Sequence, residues 1–239
     1  MGGRRSCAAG AGPNARLGGS LALPVLCKFW RYFLDHSGSL FLQFGKIDIY
    51  LFDQLLKGRF DSIKKLLDVG CGNGRNLVFF LRNGFEVFGF DRDRRSILLV
   101  QRMAAQIRPD LPMSNFVSGE ITELPYAASS FDALICNAVL HFANDERHFD
   151  SMIDEIWRVL SPGGLFFCRL ASSIGLASAK SLGDGRYLLP DGTERFLVDE
   201  KRLLQTTERL SGKVLDPIKT TNVQNLRCMT TWCLRKESV

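Results

Sequence analysis

Apolar side chains along this chain switch repeatedly between a helical spacing and short strand-like runs. Ile47, Tyr50, Leu51, Leu55 and Leu56 form a helical stripe that stops near Gly58. Beyond it the pattern predicts a strand over Lys65–Val69, a helix over Gly74–Arg82 closed by Gly84, a strand over Glu86–Phe90 and a helix over Arg94–Ile107 that ends before Pro109. Strands over Ser114–Val117 and Phe131–Asn137 follow. The clearest helix sets Phe149, Met152, Ile153, Ile156, Trp157 and Leu160 on one face, with Asn144 as its cap. Ser161-Pro162-Gly163-Gly164 stops it ahead of a fifth strand over Leu165–Leu170.

Strands and helices taking turns imply parallel strands joined by right-handed crossovers, hence an α/β sheet covered on both faces. A ligand of such a sheet belongs beyond the carboxyl ends of its strands. The last part of the chain departs from the alternation. Arg186–Leu189 and Glu194–Val198 flank Pro190-Asp191-Gly192-Thr193 and read as a hairpin, an insertion over about residues 183–198. A helix over Asp199–Leu210 and strand-like stretches near Val214–Ile218 and Met229–Leu234 complete the pattern.

Composition bounds this picture without changing it. With 239 residues, 46% hydrophobic and 23% charged, the chain reads as one domain over residues 28–239, with a helical cap at 28–58. Residues 1–27, rich in Gly, Ala and Arg and lacking acids, read as a disordered leader. They also carry faint features of a transit peptide and of an N-myristoylation pattern. The apolar run Leu21–Cys27 is short and broken by Pro24, so no membrane span is expected. The net charge is +6, but Arg4, Arg5, Arg16, Lys28 and Arg31 face only Asp35 in the first 35 residues. Most of the basicity therefore lies outside the domain and says little about a nucleic-acid surface. Seven scattered cysteines with no C-x-x-C pair argue for a reducing, cytoplasmic setting; Cys228 and Cys233 read as strand residues rather than metal ligands.

The chemistry concentrates in Leu66-Leu67-Asp68-Val69-Gly70-Cys71-Gly72-Asn73-Gly74-Arg75-Asn76. A buried strand runs into a bend with glycine at three alternate positions and then opens a helix, so backbone can approach a ligand where side chains would collide. A dinucleotide fingerprint would need glycine at position 75, where Arg75 stands. Asp91, 21 positions beyond Gly70 at the end of the second strand, suits a ribose, and Asp68 at the end of the first suits an ammonium. A ligand with both, and no pyrophosphate, is S-adenosylmethionine.

The stretch from about Leu66 to Leu170 resembles the class I S-adenosylmethionine-dependent methyltransferases, in particular the small-molecule group with ubiquinone-biosynthesis-type and tellurite-resistance-type enzymes. Four blocks carry the likeness in order and spacing: LLDVGCGNGRN (66–76), VFGFDRD (87–93), SGEITELPYAASSFDALICNAVLHF (118–142) and RVLSPGGLFF (158–167). They span about 105 of the 239 residues. The resemblance implies a Rossmann-like, doubly wound, mostly parallel seven-stranded sheet with an antiparallel C-terminal strand. It implies a cofactor loop at Gly70, Cys71, Gly72, Asn73 and Gly74, with Asp68 at the methionine end and Asp91 on the ribose. Arg92 would flank the adenine, Glu120 and Ile121 would meet its edge, and Asn137 would lend backbone near the sulfonium. The family commonly has aspartate where Glu120 stands.

Methyl transfer from a sulfonium is a direct displacement, so positioning dominates and a base helps only when the acceptor must lose a proton. His141, after the fourth strand, is the candidate base, with cofactor packing as its other reading. His148 and His36 read as bland. Trp30, Tyr32, Phe33, Phe41, Phe44, Tyr50, Tyr187 and Phe196 lie where a lid would form, or are plain packing. The expected acceptor is a small or modest-sized molecule with an oxygen, sulfur, carbon or metalloid nucleophile. A tRNA wobble-uridine acceptor and a non-catalytic cofactor-binding module are the alternatives.

Overall fold

The computed structural model describes residues 40–237; the leader, Trp30, Tyr32, Phe33 and His36 lie outside the described residues. Two helices open the described chain, α1 (Leu40–Phe44) and α2 (Ile49–Leu56). Asp48 starts α2 by accepting the Tyr50 N–H at 2.9 Å, and Gly58 ends the turn beyond it in the left-handed region. Phe44 stacks on Phe79 with ring centres 5.2 Å apart, so this aromatic is packing.

The main sheet is built from β1 (Lys65–Val69), β2 (Glu86–Asp91), β3 (Phe116–Ser118), β4 (Phe131–Asn137) and β5 (Leu160–Ser172). Later in the chain come β9 (Gly212–Val214), β10 (Lys219–Val223) and β11 (Arg227–Lys236). The order across the sheet is β10-β11-β5-β4-β1-β2-β3, with the short β9 paired beside the far end of β11. β1 to β5 pair in parallel, whereas β11 runs antiparallel between β5 and β10. The expected seven-strand path is present, and β9 is added to it. A second, three-stranded antiparallel sheet comprises β6 (Lys180–Gly183), β7 (Arg186–Leu188) and β8 (Glu194–Phe196).

Helices α3 (Val78–Arg82) and α4 (Arg94–Ile107) sit on one face of the sheet with α2. Leu66, Ala133, Ile135, Leu165 and Phe167 meet Leu51, Phe80 and Ile97 there. On the other face Leu67, Leu134, Phe166 and Trp232 pack against α5 (Glu146–Val159) and α6 (Glu200–Arg209). Burial on both faces is what parallel strands require.

Three local expectations are corrected. The α3 helix starts at Val78 rather than Gly74, because the preceding glycines hold left-handed backbone. Asp145, not Asn144, caps α5, its Oδ1 accepting the His148 N–H at 2.7 Å. Val214–Ile218 is not one strand: Arg59 grips both oxygens of Asp216 at 2.8 Å and pulls that segment off the sheet between β9 and β10. β6, exposed throughout, has no apolar alternation to announce it. Phe196 is buried and stacks on Phe149 at 5.0 Å, which makes it packing rather than lid.

Trp232 is fully buried in β11 and donates its indole N–H to the Thr207 hydroxyl at 3.0 Å. Trp232→Ala should cost about 3–5 kcal/mol in chemical denaturation. Leu98→Ala, on the exposed side of α4, should stay within about 0.5 kcal/mol of the parent.

Candidate functional site

The glycine bend is stitched to the neighbouring strand before any ligand is considered. Gly70 and Cys71 N–H both donate to the Phe90 carbonyl, at 2.7 and 3.1 Å. Gly70 has φ +75°, and a Cβ there would lie 2.1 Å from Val139 Cγ2, so the turn can pass only as glycine. Gly72, at φ +53°, has nothing within 4 Å of where its Cβ would be, which leaves that side of the loop open to a ligand. Gly74 instead faces Val100 and Met103 of α4, and Asn73 is exposed. Cys71 turns its thiol into the core; burial first, then Asp68 and Asp91, push its pKa far up, so it offers the site backbone only.

Asp91 closes the bend from the end of β2. Its Oδ2 accepts the Gly72 N–H at 2.8 Å and its Oδ1 accepts the Asp93 N–H at 2.9 Å. Each oxygen keeps a further lone pair. The open cleft beside it measures about 650 Å³, and Gly70, Asp91, Arg92, Glu120 and Ile121 all line it. Ala138, Val139, Phe142, His148 and Met152, none of them a site residue expected from the sequence, complete its wall. Ala138 carried no sequence signal, yet its φ of +63° is the sort of left-handed backbone that marks a functional turn.

A polar layer crowns the apolar face between β1, β4 and β5. Register puts Asp68 beside Ile135, and Asn137 beside Arg169, so all three polar side chains share one face. Asp68 is 1% exposed, and neither carboxylate oxygen has a hydrogen-bond partner. Burial raises its pKa to about 8, against an opposing pull from Arg75 and with a further push from Asp91. Both amide atoms of Asn137 are likewise buried without a partner. Arg169 donates through Nη1 to Asp48 Oδ2 at 3.0 Å and lies 4.9 Å from the Tyr50 ring centre. Asp48 is held in turn by its own N–H on Asn76 Oδ1, at 3.0 Å.

His141 is buried, and its Nδ1 accepts the Ala171 N–H at 3.2 Å. Burial, and then Arg195, lower its pKa to about 4. The ring is therefore neutral with its proton on Nε2, a donor rather than the expected base. His148 repeats the arrangement, its Nδ1 accepting the Asn144 N–H at 3.1 Å.

An acid whose pKa is raised by folding binds its proton more tightly in the folded than in the unfolded state. Asp68 therefore contributes a loss of stability as pH rises from about 4 to about 8. Its slope is at most about 1.4 kcal/mol per pH unit. Asp68→Asn should flatten that part of the pH–stability profile of the free protein, measured by denaturant titration across the interval.

A family profile described as a methyltransferase domain matches residues 67–168. A ubiquinone/menaquinone biosynthesis C-methyltransferase of Bartonella bacilliformis is 33% identical over 123 residues, 50% of this chain and 46% of that protein. The chain spans less than half the length of the curated relatives it matches. Among solved structures, an S-adenosylmethionine-dependent methyltransferase from Methanosarcina mazei superposes with a TM-score of 0.63 at 20% identity, covering 77% of this chain and 98% of that one. A 1,6-didemethyltoxoflavin-N1-methyltransferase from Burkholderia thailandensis, solved with bound 1,6-didemethyltoxoflavin and S-adenosylhomocysteine, gives a TM-score of 0.62 at 17% identity over 95% of this chain and 94% of that one. Those two likenesses show the fold, and the profile and the relative show that residues 67–168 are similar to a methyltransferase domain.

Proposed function

We propose that this protein binds S-adenosylmethionine in the cleft lined by Gly70 and Asp91 and transfers its methyl group to a small or modest-sized acceptor. The observation that carries the reading is Asp68, a fully buried carboxylate with no protein partner at the head of the glycine bend. Such a group is costly unless a cation reaches it, and the ammonium of the cofactor's methionine part supplies one.

The remaining residues fit the rest of the molecule. Asp91 has lone pairs left for two ribose hydroxyls after holding the loop. Arg92, Glu120 and Ile121 stand along the cleft for the adenine, with Met152 as an apolar wall. Cys71, Asn73 and Gly74 shape the loop, and Asn137, on the same sheet face as Asp68, offers backbone and an unpaired amide. When bound, the cofactor supplies an electrophilic methyl carbon on a sulfonium. The chain's own task is to hold an acceptor in line and keep water away, which in favourable cases is worth about 7–11 kcal/mol of barrier. His141, neutral, serves as a hydrogen-bond donor in this scheme, and His148 lines the cleft beside it.

The hairpin insertion and the helices of residues 40–56 are proposed as the cover of the acceptor side. The five described cysteines are free and buried, which supports a reducing, cytoplasmic setting. Among the described residues no helix is long and apolar enough to cross a membrane.

Calorimetric titration with S-adenosylhomocysteine tests the reading. Asp91→Ala should weaken binding by about 10- to 100-fold, the worth of one or two charge-assisted hydrogen bonds. Gly72→Val should abolish it, and Leu98→Ala should leave it unchanged. Binding at pH 7 should also release a proton from Asp68, visible as a dependence of the heat on the buffer, and Asp68→Asn should release none. Undiminished affinity in the Asp91 and Gly72 variants would remove the site.

A further inference from the structure

A second cavity, of about 800 Å³ with its open mouth included, adjoins the cofactor cleft at Ala138, which lines both. It lies over the carboxyl end of β5 and the start of β11, under the turn between β7 and β8. Its wall brings together residues far apart in sequence: His141, Arg169 of β5, Asp191 of the turn, Arg195 of β8 and Arg227 of β11. Leu189 and Met229 give it an apolar side.

The charges in this wall do not cancel. Among the described residues three guanidinium groups face one lining carboxylate, and that one, Asp191, is already taken up. Its Oδ1 accepts the Thr193 N–H at 3.0 Å and the Thr193 hydroxyl at 2.6 Å, while its Oδ2 stands 4.0 Å from Arg227. Asp48 balances Arg169 from behind, through Nη1, yet Arg169 Nε stays buried with no hydrogen-bond partner. Glu194, the other nearby acid, is occupied by Arg186 at 2.7 Å. Arg195 donates once to the Glu194 carbonyl and packs its guanidinium 4.9 Å from the centre of the Phe142 ring. Phe142 is itself part of the cofactor cleft, so Arg195 is fixed at the junction of the two cavities. His141 adds one more donor, because its Nδ1 is spent on the Ala171 N–H and its proton is on Nε2. A wall of donors and cations with one orphaned N–H matches an oxyanion, which accepts from several donors at once.

We propose that the acceptor is an acid, held by its carboxylate or phosphate between Arg195, Arg227 and the His141 N–H, with its apolar part against Leu189 and Met229. The proposal rests on the methyltransferase reading for its use of the word acceptor, and it adds the substrate class. Held at the Ala138 junction, such a molecule has its nucleophilic atom next to the mouth of the cofactor cleft.

Benzoate and inorganic phosphate, titrated calorimetrically into the full-length protein with and without S-adenosylhomocysteine, test the proposal. At least one anion should bind saturably and weaken as salt is raised. Tighter benzoate points to a carboxylate acceptor and tighter phosphate to a phosphorylated one. Arg195→Gln and Arg227→Gln should each weaken that anion by about tenfold or more, with Arg227→Lys recovering part of it. Arg227 has a half-exposed side chain, so its variants put the fold at little risk. No saturable anion binding, or affinity unchanged in both Gln variants, overturns the proposal. Loss of S-adenosylhomocysteine binding in the parent overturns the cofactor reading instead, and the anion titration on the unloaded protein still decides the acid-binding cavity by itself.

Discussion

A carboxylate withdrawn from water without a partner is one of the most expensive things a fold can contain, and Asp68 is in that position in the free protein. The surrounding structure makes it tolerable by spreading the cost. Its neighbours on the same face, Leu66, Ala133, Ile135, Leu165 and Phe167, are fully buried and anchor the strands. The proton it retains near neutral pH avoids a bare charge in the core. The glycine bend, the Asp91 clamp and the polar layer of Asn137 and Arg169 are all arranged around the end of β1 where this carboxylate sits. On the function proposed above, the counter-ion of this carboxylate is left for the ligand to bring, and preorganisation of this kind is what positioning catalysis needs.

Much of this was legible in the sequence because it is local. The rhythm of apolar residues located β1, β2, β4 and α4, and Gly70, Gly72 and Asp91 sit in the bend that their spacing implied. The failures were of two kinds. Asp145 displaced Asn144 as a cap by one residue, a choice that only backbone geometry at the helix entry decides. His148 reads as bland in the sequence, yet its place in the first turn of α5 turns it to the cleft.

The residues of the second cavity were harder to see, for a different reason. Arg169 did leave a trace, a single charge inside the apolar run Leu165-Phe166-Phe167-Cys168 and Leu170. Arg195 and Arg227 left none, because what joins them is a cavity wall assembled from β8 and the start of β11, a long-range arrangement invisible to spacing. Asp48 and Arg169 stand 121 positions apart in the chain and are one ion pair in space. Sites built on loops from several strand ends are composed in this way, and periodicity reports the scaffold better than its tenants.

The antiparallel strand carries a consequence for how the molecule is made. β5, rich in buried apolar side chains, takes its outer neighbour from β11, which is synthesised only after β6 to β10. Until Arg227 and the residues after it emerge, that border of the nascent sheet presents open N–H and C=O groups along a sticky strand. A product interrupted before β11 would be a template for intermolecular pairing, and chaperone dependence should be concentrated in that interval of translation.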